Sequence, residues 1–195
     1  LPIEEAAAIR NIVSTKATKQ QPKEEDKRFL ERLASRIDSR LAQGFPGGAI
    51  LKISTRSAKD SCTERAAERL RKIIQESSTE IGSCQTVRKK RNLAASFCIR
   101  AMCSALKITS GEEAVDLLTT SDRIFSELGR AMGDRQSIPL SLVLRNWDSR
   151  IDPLNEIRCF VNNGELTAAT QYWGRVFVPF LHEHQDEIIS RIEGF

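Results

Sequence analysis

Leu142–Leu166 reads LVLRNWDSRIDPLNEIRCFVNNGEL, and two strands and a hairpin turn account for it. Its second strand, over 155–162, alternates: Ile157, Cys159 and Val161 point one way, and Glu156, Arg158 and Phe160 the other. Asn163-Gly164 supplies the two positive-φ residues that a type I′ hairpin needs. Pairing through that turn sets Val161 against Leu166, Cys159 against Ala168 and Ile157 against Thr170. On the opposite face it sets Phe160 against Thr167, Arg158 against Ala169 and Glu156 against Gln171. The first face is expected to be apolar and to face the core. The second carries an acid, a base and an amide beside small residues, the look of a sheet that floors a polar ligand site.

Outward from the hairpin, the order of elements is helices, one early strand, more helices, then strands. The spacing predicts a short helix over 2–13, a polar linker over 15–23 with Pro22, and an amphipathic helix over 24–43. In that helix Leu30, Leu33, Ile37 and Leu41 recur every three or four residues, and Glu24, Glu25 and Asp26 sit where the macrodipole favours acids. Gly44-Phe45-Pro46-Gly47-Gly48 ends it, and 49–54 (AILKIS) reads as a strand. Helical segments are expected near 60–77, 85–107 and 111–132, followed by a loop over 133–137. Strands follow at 140–147, 155–162 and 165–171, and a helix over about 176–193. Strands from two distant regions with helices between them predict an α+β fold with a mainly antiparallel sheet. Residues 1–43 are read as N-terminal helices and linker, and 44–195 as the main domain with a long helical insertion at about 60–132.

Composition narrows the class. Of the 195 residues 40% are hydrophobic and 29% charged, enough for one full core. No apolar run approaches the ~20 residues of a membrane span, and no signal peptide is visible. Five cysteines, Cys62, Cys84, Cys98, Cys103 and Cys159, are odd in number and form no CxxC pair. A reducing setting, cytosolic or nuclear, is favoured over a disulfide framework or a zinc site, and the expected location is cytoplasmic. The net charge of +4 does not imply nucleic acid. The basic run Arg88-Lys89-Lys90-Arg91 lacks interleaved aromatics and reads as a solvated helix entry. His182 and His184 flank Glu183 too closely to share a helix face. No Walker A loop, GxGxxG or Ser-His-Asp arrangement occurs. The chain begins at Leu1 rather than methionine and reads as a piece of something longer.

Three collinear segments resemble the cell division cycle protein 123 (D123) family. Residues 47–60, GGAILKISTRSAKD, resemble the family's GG-x-x-x-PKLNWSSPKDA, with Lys52, Ser57, Lys59 and Asp60 in register. Residues 116–122, DLLTTSD, are similar to LLLKSSD. The hairpin region is similar to LVLRKW…NPxxEFRCFVxNNELxAxSQ, matching at Leu142, Val143, Leu144, Arg145, Trp147, Pro153, Glu156, Arg158, Cys159, Phe160, Val161, Asn163, Glu165, Leu166 and Gln171. The resemblance covers about 47–181, with 60–116 poorly matched and longer than usual. Leu51 replaces the family's proline, Ser54-Thr55 its Asn-Trp pair, and Tyr172 a basic residue. The family's aspartate-rich, Mg²⁺-holding C-terminal segment does not occur.

The resemblance implies an ATP-grasp-like fold, here lacking that metal-binding segment, and an ATP-binding chaperone that helps assemble eukaryotic translation initiation factor 2. The factor's gamma subunit is the implied partner, with no nucleic acid or membrane involved. ATP with Mg²⁺ is the implied cofactor. It further implies that Lys52 and Arg158 contact phosphate. Val143, Leu144, Arg145 and Trp147 form the hinge strand beside adenine, Glu156 and Gln171 complete the polar face, and Ser57 and Lys59 serve binding. Ser57 or Asp60 is alternatively an ordinary helix N-cap. Two other readings remain open at this point: an ATP-grasp carboxylate–amine ligase, and a degenerate protein-binding scaffold without nucleotide. No catalytic residue and no metal ligand is assigned.

Overall fold

The computed structural model describes residues 1–61, 63–133 and 140–194. The expected loop over 133–137 lies, after Gly133, outside the described residues, as does Cys62. The elements are α1 (Ile3–Thr18), α2 (Glu24–Gly44), β1 (Ala49–Ile53), α3 (Glu64–Ser83), α4 (Val87–Ser104), β2 (Lys107–Ile108), α5 (Gly111–Thr119), α6 (Asp122–Gly133), β3 (Leu142–Asn146), a 3₁₀ turn (Pro153–Asn155), β4 (Ile157–Asn162), β5 (Glu165–Gln171), α7 (Pro179–Glu183) and α8 (Gln185–Glu193). The mixed α+β class and the antiparallel pairing are as expected. The strands form two sheets, one ordered β2-β1-β3 and one of β4 and β5 alone. The chain divides into two compact units: Leu1–Arg69 with Met102–Asp148, and Leu70–Ala101 with Ser149–Phe195.

The first unit owns the main core. β1 alternates between buried and half-buried residues, so Ala49, Leu51 and Ile53 face inward with Ile108 of β2. Against that face pack Ile9 of α1, Leu33 of α2, Leu117 and Leu118 of α5, and Ile124 and Leu128 of α6. The amphipathic reading of α2 holds: Leu30, Leu33, Ile37 and Leu41 are its buried stripe. α1 runs to Thr18, beyond the expected end at Val13, and Lys19 in the left-handed region (φ 55°) closes it.

The expected single helix over 111–132 is two. Ser110 caps α5, accepting from the Glu113 N–H at 3.2 Å, while the Glu113 carboxylate accepts from the Thr109 N–H at 2.6 Å. This resembles a capping box, with the N3 carboxylate reaching one residue further back than the N-cap N–H. Burial pushes the Glu113 carboxyl up, but the Thr109 backbone and Arg65 together outweigh it and hold the group below its ordinary value. α6 starts afresh because Asp60, 63 residues upstream of Arg123, accepts from that residue's N–H at 2.9 Å. Asp60 was a candidate cap for the helix that directly follows it. That task falls to Thr63, whose hydroxyl accepts from the Ala66 N–H at 3.0 Å.

The second unit is smaller. Asn92 of α4 binds Phe177 through both backbone groups, donating to its carbonyl at 2.9 Å and accepting from its N–H at 2.7 Å. Arg100 grips Asp152 with Nε and Nη2, the shortest contact being 2.6 Å. Asp152 also accepts from the Leu154 N–H, which fixes the 3₁₀ turn. The Arg100 guanidinium holds the Asp152 carboxyl below its ordinary value of 3.8. A lowered carboxylate pKa stabilises the fold above the unfolded value and loses that contribution as pH falls through the folded one. Asp152→Asn is therefore expected to cost about 1 kcal/mol at neutral pH, since both side chains are a third or more exposed. The difference between the two proteins should vanish well below pH 3.8, as urea unfolding at stepped pH would measure.

The β4–β5 hairpin turns as predicted, with Asn163 at φ 52° and Gly164 at φ 84°. Its register departs from expectation two pairs past the turn. Val161 pairs with Leu166, but Phe160 pairs with Ala168, Cys159 with Ala169, Arg158 with Thr170 and Ile157 with Gln171. Thr167 is the extra residue of a bulge, and its hydroxyl donates to the Phe160 carbonyl at 3.0 Å. The face expected to be buried is not. Cys159 is exposed and Val161 is 65% exposed, because the hairpin pairs only with itself. Ile157, Ala169 and Gln171 border a groove of about 410 Å³ whose other wall includes Leu181, Ile188 and Ile192. The expected C-terminal helix breaks at His184, whose ring stacks on Phe180 at 4.4 Å.

A cationic sheet face as candidate functional site

The candidate site grows from the register of β1. Its partners are Ile50↔Arg145 and Lys52↔Val143 on β3, and Ile50↔Lys107 on β2. Directly opposed residues of a sheet share a face. Since Leu51 and Ile53 take the core side with Leu144 and Leu142, the other side carries Ile50, Lys52, Lys107, Val143 and Arg145. Three cations thus share one face of a three-stranded sheet. Lys52 and Lys107 are half-buried, and Arg145 is exposed. Among the described residues none of the three has an acidic partner.

The chain before and after β1 is shaped to hold this arrangement. Gly48 has φ +86°, and a Cβ there would lie 2.7 Å from Cε of Lys107 and 2.8 Å from the Ile108 carbonyl oxygen. Only glycine lets the Lys107 stem and the β2 backbone approach so closely. The Trp147 N–H donates to the Gly48 carbonyl at 3.0 Å, extending the β1–β3 ladder by one residue. After β1, the Arg56 N–H donates to the Ile53 carbonyl at 3.1 Å, and the turn returns Ser57 to bridge Lys52.

Of the residues singled out in the sequence, the first unit brings Lys52, Ser57, Val143 and Arg145 to one region, with Trp147 at the strand end. Leu144 offers only its backbone, because its side chain packs on the core. Lys59 is exposed two residues beyond Ser57. Lys107 was not foreseen: two residues of strand between helices leave no periodicity to read.

Glu156, Arg158 and Gln171 belong to the second unit. Gln171 does not share a face with Arg158, as the uninterrupted register required. The bulge moves it opposite Ile157, and its amide donates to the carbonyls of Trp173 at 3.0 Å and Val176 at 2.9 Å. It clasps the loop after β5. Arg158 lies over the Tyr172 ring at 4.6 Å, a cation–π contact, and the Tyr172 N–H donates at 2.8 Å to the carbonyl of Glu156, the residue before β4.

Unpaired cations beside an apolar sheet surface suit the phosphates of a nucleotide. Magnesium is a different matter. Among the described residues no three His, Cys, Asp or Glu side chains gather where they could hold a metal ion, and Mg²⁺ bound with a nucleotide takes most of its ligands from phosphates and water. No described helix is long and apolar enough to cross a membrane.

In class the chain is a mixed α+β protein with two small antiparallel sheets. The D123 family model matches residues 50–195, most of the chain, and the protein belongs to that family. No curated protein matches the sequence, and no solved structure matches the chain.

Proposed function

We propose that this chain binds the phosphates of ATP on the cationic face of its three-stranded sheet and acts as an assembly chaperone for eukaryotic translation initiation factor 2 in the cytoplasm. The observation that carries the nucleotide half is the convergence of Lys52, Lys107 and Arg145 on one half-apolar face without acidic neighbours among the described residues. Membership of the D123 family supports the chaperone half. In this reading Lys52 and Lys107 hold the phosphates, and the backbone of Val143 and Leu144 addresses the base. Trp147 closes the end of the strand, and Ser57 donates from the adjoining turn. Binding organises a surface for the gamma subunit, and no turnover is required.

Thermal unfolding with and without Mg·ATP tests the nucleotide reading. A ligand a hundredfold above its Kd stabilises a protein by about 2.7 kcal/mol, which here is several degrees. Lys52→Ala and Lys107→Ala should each remove most of that shift while leaving the ligand-free Tm within a degree or two. No shift in the unsubstituted protein sinks the proposal. Capture of the purified gamma subunit tests the partner separately. ADP release that depends on an added carboxylic acid and amine would replace the chaperone by a ligase.

A further inference from the structure

A second basic site lies in the first unit, on residues to which the nucleotide reading gives no task. Arg56, Asp122, Arg123, Ser126 and Arg130 line an open cavity of about 280 Å³. Glu127 organises it. Its side chain is only 15% exposed, and Oε2 lies 2.7 Å from Nη2 of Arg130 and 3.6 Å from Nε of Arg56. One shielded carboxylate thus gathers guanidinium groups from the turn after β1 and from the last turn of α6. Neither arginine is consumed. Arg56 keeps both terminal nitrogens and Arg130 keeps Nη1. The Arg123 guanidinium has no partner among the described residues. Among the described residues the other acids nearby are Asp122 on the wall and Asp60, whose carboxylate accepts from the Ser121 hydroxyl and the Arg123 N–H.

We propose that this cavity is a docking site for an acidic segment of a protein partner, with one or two carboxylates seated between Arg123, Arg56 and Arg130. The planar fork of a guanidinium matches a carboxylate in two parallel hydrogen bonds, and the charge of Glu127, which forms no hydrogen bond to either arginine through Oε2, holds two of the forks nearby. A nucleic acid fits less well. Among the described residues no aromatic side chain lines the cavity for bases to stack on.

The probe is a fluorescein-labelled octaglutamate peptide, followed by anisotropy with the full chain in the absence of nucleotide. Saturable binding at low salt that weakens at high salt is expected. Arg123→Ala and Arg130→Ala should each weaken it about tenfold, and Lys90→Ala, which removes an exposed charge elsewhere, should leave it unchanged. Both arginines are exposed on α6, so the variants should keep the parent Tm, and either one alone suffices. No saturable binding, equal losses in Lys90→Ala, or tighter binding of oligouridine through the same arginines would each overturn the proposal.

Discussion

Gly111→Ala unfolds this protein more readily by about 3 kcal/mol or more. A Cβ on Gly111 would stand 2.0 Å from the Ala34 carbonyl oxygen and 2.5 Å from its carbonyl carbon. Those atoms are backbone in the interior of α2, so no rotamer change relieves the contact. α5 would have to withdraw from α2, and with it would go Ala114, Leu117 and Leu118, all buried in the shared core. The same approach lets the Gly111 N–H donate to Oδ1 of Asp38 at 2.6 Å, so withdrawal also unmakes that bond. Gly82 is the control. It lies near the end of α3 with nothing within 4 Å of its added Cβ, and alanine there should stabilise by about 0.5 kcal/mol through its better helix propensity. Urea unfolding of the two variants should therefore move the midpoint in opposite directions. Equal midpoints for Gly111→Ala and its parent would mean that α2 and α5 do not pack as described.

Much of this fold is written in local pattern. The stripe of α2, the alternation of β1 and the Asn163-Gly164 turn each follow from residues within one or two turns of each other, and each is found where the sequence puts it. What escaped depends on residues far apart or on single insertions. The bulge at Thr167 is one extra residue in a strand whose neighbours, Ala168 and Ala169, are interchangeable in size. Nothing in the pattern chooses between the two registers, yet the choice moved Gln171 to the opposite face from Arg158. Burial of the hairpin was misjudged for a related reason. Alternation reports that two faces differ, and it does not report that another layer covers either. For the candidate site, Lys52 and Arg145 were legible because strand and resemblance coincide there. Lys107 became visible only when β2 was found pairing with β1 across more than fifty residues of intervening chain. Ser110 and Glu113 carry the S-x-x-E spacing of a helix start, a signal the helix expected over 111–132 leaves unused.

Asp60→Ala should cost about 2–4 kcal/mol, more than an exposed cap usually does. The aspartate sits where the chain leaves the β1 turn, and it supports a segment 60 residues later. Its Oδ1 accepts from the Ser121 hydroxyl at 2.6 Å, and its Oδ2 from the Arg123 N–H at 2.9 Å. Ser121 is fully buried, and its oxygen in turn accepts from the Ile124 N–H at 3.2 Å. Removing the carboxylate strands a buried hydroxyl and an amide of the first turn of α6 together. Stranded polar groups each cost about 1–3 kcal/mol. Asp60→Asn separates charge from geometry: its carbonyl oxygen can still accept one of the two bonds, so about half the loss should return. Ser121→Ala removes the buried hydroxyl along with its need for a partner, and should cost less than Asp60→Ala. In the double variant the two losses should fall short of additive, because both act through one network. Strict additivity in urea unfolding would refute that coupling. The coupling matters for function because Asp60 follows Ser57 by three residues and Arg123 follows Ser121 by two. The network that starts α6 therefore also anchors the turn beside Lys52 and the wall of the arginine cavity, so Asp60→Ala should weaken both Mg·ATP and octaglutamate binding, whereas Lys52→Ala and Arg123→Ala each weaken one.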